Sequence, residues 1–190
     1  MSCAYLAFTE RGLALAQQLA AVCPGPVARC GADGPGLDEW TAAQFAASDA
    51  LIYIGAVGIA VRAIAPYCRS KAVDPAVVVL DECGRFAVPL LSGHLGGANA
   101  LARRLAAVCG AVPVITTATD LHGLFAVDEW AKRQGCVVAE PERIKQVSGA
   151  LLAGKRVHFT ADWPIQGTPP AGVQPAAGGC ADFALTLTPA

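Results

Sequence analysis

Short apolar runs alternate with helical patterns along the chain as far as about residue 120. The runs AYLAF at 4–8, LIYI at 51–54 and AVVVL at 76–80 are typical of buried strands. Apolar residues at helical spacing occupy the segments between them, at 11–22 and 38–47. This alternation predicts an α/β fold, a three-layer Rossmann or flavodoxin-like sheet with helices on both of its faces.

Further elements of this sheet are predicted with shorter patterns. Strands are predicted at 27–30, 85–90 and 112–115. Two helices follow the glycine-containing segments GAVG at 55–58 and SGHLGGAN at 92–99, and Pro66 is expected to end the first of them.

The pattern changes after TTATD at 116–120. Helices are predicted at 123–135 and 141–154, strands at 136–140, 155–162 and 182–187, and a loop at 163–179, which is rich in proline and glycine. We therefore predict two domains. Residues 1–120 form an N-terminal α/β domain that carries the three motifs, and residues 121–190 form a smaller α/β middle domain.

Composition excludes several classes of protein. Hydrophobic residues make up 54% and charged residues 15% of the 190 residues, which allows a large core and argues against disorder. A net charge of −1 argues against a nucleic-acid partner. The eight cysteines include no C-x-x-C pair, and Glu10 and Arg11 interrupt the first apolar run, which argues against a secretory signal. We expect a reduced, cytoplasmic protein with no membrane partner.

Ligands of open α/β sheets bind at the loops that connect the ends of strands to the following helices. One such segment is GAVG, where Gly55 and Gly58 would let backbone N–H groups approach an anion and Arg62 could bind a carboxylate. A plain tight turn with a solvated arginine explains the same residues equally well. A nucleotide-binding domain is a weaker interpretation, because the full G-x-G-x-x-G fingerprint is absent.

A second segment, DECGR at 81–85, offers two adjacent carboxylates, Asp81 and Glu82, as candidate acids or bases. The favoured interpretation is a hairpin turn that joins the strand at 76–80 to the strand at 86–90. Such a hairpin would carry the chain back across the sheet and place His94 at the end opposite to Asp81. The two side chains could then not share one reaction centre.

The most specific segment is SGHLGGAN. Its glycines permit the close approach of a bulky ligand, and His94 could take a proton near neutral pH. In the structural alternative, His94 caps its own helix, and Ser92 or Asn99 serves the fold alone. The other two histidines, His122 and His158, are interpreted as structural, and the three are not at metal-ligand spacing.

The segment TTATD has two interpretations of its own. Its hydroxyls and carboxylate could cap the next helix. They could equally form a row of hydrogen-bonding groups for an oxygen-rich ligand, which makes Thr116, Thr117 and Asp120 candidate binding residues.

Three segments together resemble a known family. GAVGIAVRAIAP, KAVDPAVVVLDECGRFAVPLLSGHLGGAN and PVITTATD are similar to the cobalamin biosynthesis protein G family, the cobalt-precorrin-5A hydrolases. The resemblance runs from about residue 51 to 120, and the segments after 124 resemble the family's middle region. It implies an enzyme of anaerobic vitamin B12 synthesis, which opens the δ-lactone of cobalt-precorrin-5A and releases acetaldehyde to give cobalt-precorrin-5B.

The chemistry that this reaction requires suggests roles for the candidate residues. His94 is expected to be the base, with backbone N–H groups around Gly93–Gly97 as donors to the oxyanion and with Asp81 or Glu82 as a second acid or base. Four side chains are expected to hold the acetate and propionate arms of the substrate: Arg62, Asn99, Thr116 and Thr117. The full predicted substrate-binding set is Gly55, Gly58, Arg62, Ser92, Gly93, Gly96, Gly97, Asn99, Thr116, Thr117 and Asp120.

Cofactors and partners follow from the same resemblance. The substrate carries its own cobalt, so we expect neither a cofactor nor a protein metal site. Family members usually continue into a C-terminal domain that would begin near residue 190. The chain is therefore expected to be either a truncated part of a longer protein or a short form whose partners are a separate protein with that domain or neighbouring pathway enzymes. The alternative function is a non-catalytic tetrapyrrole-binding module that needs the separate domain for activity, with His94 as an axial cobalt ligand.

Overall fold

The computed structural model describes residues 1–31, 33–71, 73–178 and 180–187. These residues form two compact units, Met1–Ile115 and a second unit that starts at Thr116. The TTATD motif is therefore part of the second unit. The predicted domain limits, 1–120 and 121–190, stay a prediction.

A six-stranded sheet forms the centre of the first unit. Its strands are β1 (Cys3–Ala7), β2 (Val27–Arg29), β3 (Ala50–Ile54), β4 (Ala76–Leu80), β5 (Phe86–Leu91) and β6 (Val112–Pro113). They lie in the order β2-β1-β3-β4-β5-β6. The strands β1 to β4 are parallel, β5 is antiparallel to β4, and β6 is parallel to β5. All residues of β1, β3 and β4 are buried, which explains their continuous apolar sequences.

Four helices cover the two faces of this sheet: α1 (Glu10–Ala20), α2 (Leu37–Ala47), α3 (Val57–Ile64) and α4 (Ala98–Cys109). On one face α1 and α4 bury Leu19, Leu101 and Leu105 against the sheet. On the other face α2 and α3 bury Trp40 and Ile64. The predicted three-layer α/β architecture is confirmed.

The second unit is smaller and combines helices with a three-stranded sheet. Its helices are α5 (Ala118–Leu121), α6 (Val127–Arg133) and α7 (Ile144–Leu152), with a 3₁₀ turn at Pro141–Arg143. Its strands β7 (Val157–Ala161), β8 (Val173–Pro175) and β9 (Phe183–Leu185) are parallel, in the order β8-β7-β9. Val147, Leu151 and Val157 form the centre of its core. Among the described helices of both units, none has the length and apolar character that crossing a bilayer requires.

Two sequence predictions for the second unit are wrong. The segment 136–140 is not a strand, and Val137 in it is 93% exposed, because no neighbouring strand pairs with it. The segment 163–179, predicted as a loop, contains β8, whose pairing with β7 overrides the local excess of proline and glycine. Gly179 at the end of that segment lies outside the described residues.

Candidate functional site

The strands β4 and β5 form the predicted hairpin, and Asp81 holds its turn. One carboxylate oxygen of Asp81 accepts a hydrogen bond from the N–H of Cys83 at 2.9 Å. The other accepts from the N–H groups of Arg85 and Phe86, at 2.9 and 2.7 Å. Partial burial favours a higher pKa for this carboxyl group, but the backbone hydrogen bonds outweigh it and lower the pKa of Asp81. Asp81 is therefore a turn residue that stays ionised.

The neighbouring carboxylate also has a partner within the fold. The hydroxyl of Thr9, at the start of α1, donates a hydrogen bond to Glu82 at 2.7 Å. Both carboxylates lie at the carboxyl end of β4, whereas His94 follows the far end of β5. At about 3.3 Å per residue, the length of β5 separates these two edges of the sheet by roughly 20 Å. As expected for a hairpin, Asp81 and Glu82 do not share a reaction centre with His94, and we withdraw them from its acid/base set.

We expect the substitution Asp81→Asn to lower the free energy of unfolding by about 1–2 kcal/mol. An asparagine has one acceptor oxygen, so its NH₂ group would face at least one backbone N–H donor that Asp81 now satisfies. Urea denaturation at pH 7 measures the change. The matched control is the exposed neighbour in Glu82→Gln, which should change stability by less than about 0.5 kcal/mol. Equal stability of the Asn variant and the wild type would contradict the role of Asp81 in the turn.

The same residue gives a pH dependence with a defined sign. Because the pKa of Asp81 is lower in the folded protein than in the unfolded chain, its contribution to stability is present above about pH 4. The contribution is lost as the pH falls through the folded-state pKa. The stability difference between the wild type and Asp81→Asn should therefore shrink in denaturation series carried from pH 7 towards pH 3. A constant difference across that range would contradict the assignment.

The GAVG segment lies at the same edge of the sheet as Asp81. The N–H of Gly55 donates to the carbonyl oxygen of Leu80 at 2.8 Å, and the ring of Phe8 covers Gly55 so closely that a Cβ atom there would lie 2.6 Å from its Cδ2. The exposed Arg62 donates back to the carbonyl oxygen of Gly58 in its own helix, at 3.1 Å. These contacts serve the strand-to-helix turn. Because β3 is parallel to β4 and β5 is antiparallel to both, Gly55, Gly58 and Arg62 lie at the edge of the sheet opposite to the one that carries His94.

The SGHLGGAN segment forms a compact turn at the opposite edge of the sheet. Residues 93–96 make the turn, and α4 begins only at Ala98, so His94 precedes the helix. The His94 side chain is partly exposed. The N–H groups of Ala98 and Asn99 donate to the carbonyl oxygens of Ser92 and Gly93, at 3.1 and 3.0 Å. The first donors of the helix are thus used within the loop itself.

Ser92 anchors this histidine loop, residues 92–97, to the sheet. It is buried and has a φ of 56°, in the left-handed region, and its hydroxyl donates to the carbonyl oxygen of Asp74 at 2.9 Å. A Cβ atom on Gly96 would lie 2.3 Å from the Cβ of Ser92 and 2.7 Å from its carbonyl oxygen. Gly97 has a φ of 87° at the N-cap of α4. Gly96 and Gly97 therefore have a folding role, while access for a bulky ligand stays a prediction.

Sequence reasoning missed Asp74. This buried residue precedes β4, and both of its carboxylate oxygens accept from the N–H of Arg69 at 3.0 Å. Its carbonyl oxygen is the one that Ser92 binds. The only signal in the sequence is an aspartate–proline pair just before a strand, which is too common to reveal the contact.

In the second unit, two residues of TTATD form a local pair. Thr117 is at the N-cap of α5, but its hydroxyl donates to the Asp120 carboxylate at 2.5 Å and makes no capping hydrogen bond to the backbone. Thr116 is exposed. The predicted binding role of Thr116, Thr117 and Asp120 stays a prediction.

Comparison with protein families identifies the family to which these motifs belong. The family model for the cobalamin synthesis G N-terminal region matches residues 39–120, and the model for the cobalamin biosynthesis central region matches residues 125–176. The two matches together cover more than half of the chain. The chain belongs to the cobalamin biosynthesis protein G family. The family matches include GAVG, SGHLGGAN and TTATD, so the resemblance inferred from these motifs is confirmed.

Curated relatives in this family are named cobalt-precorrin-5A hydrolase. The protein of Salmonella typhimurium is 43% identical over 168 residues, which cover 82% of this chain and 47% of the relative. The protein of Priestia megaterium is 46% identical over 102 residues, which cover 54% of this chain and 27% of the relative. The chain thus spans about half or less of the length of these relatives.

A solved structure has the same fold. The crystal structure of a cobalamin biosynthesis protein G homologue from Sulfolobus solfataricus matches 99% of this chain and 60% of its own, with a TM-score of 0.57 and 22% identity. At this identity the match supports the architecture and carries no information about the reaction.

Proposed function

We propose that this chain supplies the hydrolytic part of a cobalt-precorrin-5A hydrolase in cobalamin biosynthesis. The reaction opens the δ-lactone of the substrate and releases acetaldehyde to give cobalt-precorrin-5B. The observation that carries the proposal is the histidine loop, which lies inside the family match. It contains the partly exposed imidazole of His94, and the buried hydroxyl of Ser92 fixes it to the sheet. The names of the relatives support the choice of substrate.

His94 acts as the base in both steps of this proposal. In the first step it takes a proton from water as the water oxygen bonds to the lactone carbonyl carbon. The ring C–O bond then breaks, the His94 imidazolium returns its proton to the leaving alkoxide to give a hydroxyl group, and the new carboxylic acid ionises to a carboxylate. In the second step the freed hydroxyl loses its proton, the adjacent C–C bond breaks, and acetaldehyde leaves. The electron pair of that bond stays on the macrocycle, so no oxidant or reductant is required.

The negative charge on the carbonyl oxygen needs hydrogen-bond donors that are already in place. We assign this role to backbone N–H groups of Gly93–Gly97, because this turn carries His94. Asn99, Thr116 and Thr117 stay proposed as ligands of the acetate and propionate arms, and Asp120 stays in the proposed substrate-binding set. Gly55, Gly58 and Arg62 have no part in this centre because they lie at the other edge of the sheet. The cobalt belongs to the substrate, and no protein cofactor is proposed.

An acetaldehyde assay tests the proposal. The purified chain is incubated with cobalt-precorrin-5A, alone and together with a C-terminal fragment of the Salmonella typhimurium relative, and acetaldehyde is measured with an NADH-coupled dehydrogenase. Acetaldehyde in either reaction supports the proposal, and a requirement for the fragment would identify it as a partner. Substrate that binds but stays intact in both reactions would overturn the proposal in favour of a non-catalytic binding module, which the short span of the chain also allows.

A further inference from the structure

The second unit contains a cavity that none of the three motifs touches. Its volume is about 520 Å³, and it lies between α6, the three-stranded sheet and the segment 163–170. Five aromatic side chains line it: Phe125, Trp130, Phe159, Trp163 and Phe183. They are all of the phenylalanines and tryptophans that the sequence contains after residue 115. The aromatic content of this unit is therefore concentrated at one place.

Three of these rings form a stack in one part of the wall. The ring centroids of Phe159 and Phe183 are 5.9 Å apart at an interplanar angle of 25°, and those of Phe125 and Phe183 are 6.0 Å apart at 26°. Such offset stacks present flat faces to whatever lies beside them. Elsewhere in the wall, Trp163 is 37% exposed and Ile165 is 41% exposed. Large apolar side chains exposed around a cavity are typical of ligand sites.

The polar groups of the cavity define the chemistry of its ligand. Gln134, Gln166 and Thr168 offer neutral hydrogen-bonding groups, and none of the described lining residues is charged. A carboxylate that entered would lose its hydration without gaining a charged partner. The part of a ligand that enters must therefore be uncharged, and the aromatic walls favour a flat conjugated ring.

We propose that this cavity binds one edge of the conjugated ring of a tetrapyrrole, with the ring stacked on the aromatic walls and the carboxylate arms left in water. The choice of a tetrapyrrole rests on the proposed function. The site itself rests on the cavity in the second unit, and its volume is within the usual range for small-molecule sites, about 300–1,000 Å³.

Calorimetric titration of the full chain with dicyanocobinamide, a cobalt corrinoid, tests the site. Calorimetry needs no tryptophan signal, so the same measurement serves every variant. Trp163→Ala should weaken binding at least about tenfold, in keeping with the loss of one stacking partner. The matched control Trp163→Phe keeps a ring and should bind within about threefold of the wild type. Circular dichroism on each variant checks that the protein is still folded after the substitution.

The outcomes separate the site from the proposed function. No saturable binding up to about 1 mM, or equal binding by Trp163→Ala and the wild type in folded protein, would overturn the site. Either result would leave an acetaldehyde assay unaffected. The variant His122→Ala should bind dicyanocobinamide as the wild type does, because His122 does not line the cavity. If neither the chain alone nor the chain with the C-terminal fragment released acetaldehyde, the proposed reaction would be wrong, but the binding of dicyanocobinamide to the cavity would still be a valid result.

Discussion

Replacing His94 by alanine is expected to lower the rate of acetaldehyde release by about 10²–10⁴-fold, the usual contribution of a positioned general base. The proposed reaction needs a base twice, once for water and once for the freed hydroxyl group. The partly exposed imidazole in the histidine loop is the group to which we assign both proton transfers. Single-turnover rates with saturating cobalt-precorrin-5A measure the effect on chemistry apart from binding.

Two controls make the His94 result specific. His122→Ala removes an exposed histidine of the second unit and should leave the rate within about twofold of the wild type. Imidazole added to His94→Ala should restore part of the rate, because a base from solution can replace the missing side chain, whereas it should not change the rate of the wild type. A His94→Ala protein that works at the normal rate would end the assignment of the base. Loss of the substrate complex with no change in the chemical step would instead make His94 a binding residue.

Much of the fold could be predicted because strands that are apolar on both faces are buried only in a parallel sheet that helices cover on both sides. The strands β1, β3 and β4 are fully buried, and their sequences contain little else than apolar residues. The hairpin after β4 could also be predicted, since Asp81 supplies acceptors to three backbone N–H groups of its own turn. Local chemistry was sufficient at both places.

Grouping the candidate residues into one site was not possible from the order of motifs alone. All the motifs of the first unit follow strands, but the antiparallel β5 carries the histidine loop to the edge opposite to GAVG and Asp81. That division depends on the direction of β5, which the hairpin interpretation predicts but the order of the motifs alone does not give. The anchor of the loop was also hidden, because Ser92 binds a backbone oxygen of Asp74, 18 positions away.

The aromatic cavity shows the same limit in the second unit. Its five rings are spread from Phe125 to Phe183, so no short motif in the sequence brings them together. Their convergence depends on the parallel pairing of β7 with β8 and β9. The strand β8 contains a proline and follows a segment rich in proline and glycine. Its sequence therefore lacks the alternating apolar pattern that predicts a strand, and neither its pairing nor the cavity beside it could be predicted.

The substitution Gly96→Ala is expected to lower the free energy of unfolding by about 2–3 kcal/mol, a large part of the stability of a typical domain. The new Cβ atom would lie 2.3 Å from the Cβ of Ser92 and 2.7 Å from its carbonyl oxygen, both far inside van der Waals contact. Ser92 cannot retreat freely, because its hydroxyl is bound to Asp74 in a buried position. Denaturant unfolding followed by circular dichroism measures the change.

The matched control for this effect is Gly36→Ala in the same unit. Gly36 has a φ of −66°, and an added Cβ atom there would meet nothing within 4 Å, so the change should cost less than about 0.5 kcal/mol. If Gly96→Ala were as stable as Gly36→Ala, the close approach of Ser92 and Gly96 would not constrain the loop.

The folded fraction of Gly96→Ala adds a test of function. Relief of the clash has to move the turn that carries His94, and a displacement of about 1 Å at a catalytic group can cost on the order of 10²-fold in rate. We therefore expect Gly96→Ala to lose activity below its unfolding temperature, with dicyanocobinamide binding at the aromatic cavity unchanged because Gly96 does not line it. Normal activity in the folded variant would show that the position of the histidine loop does not limit the reaction, and the proposed base would then have to be sought elsewhere in the chain.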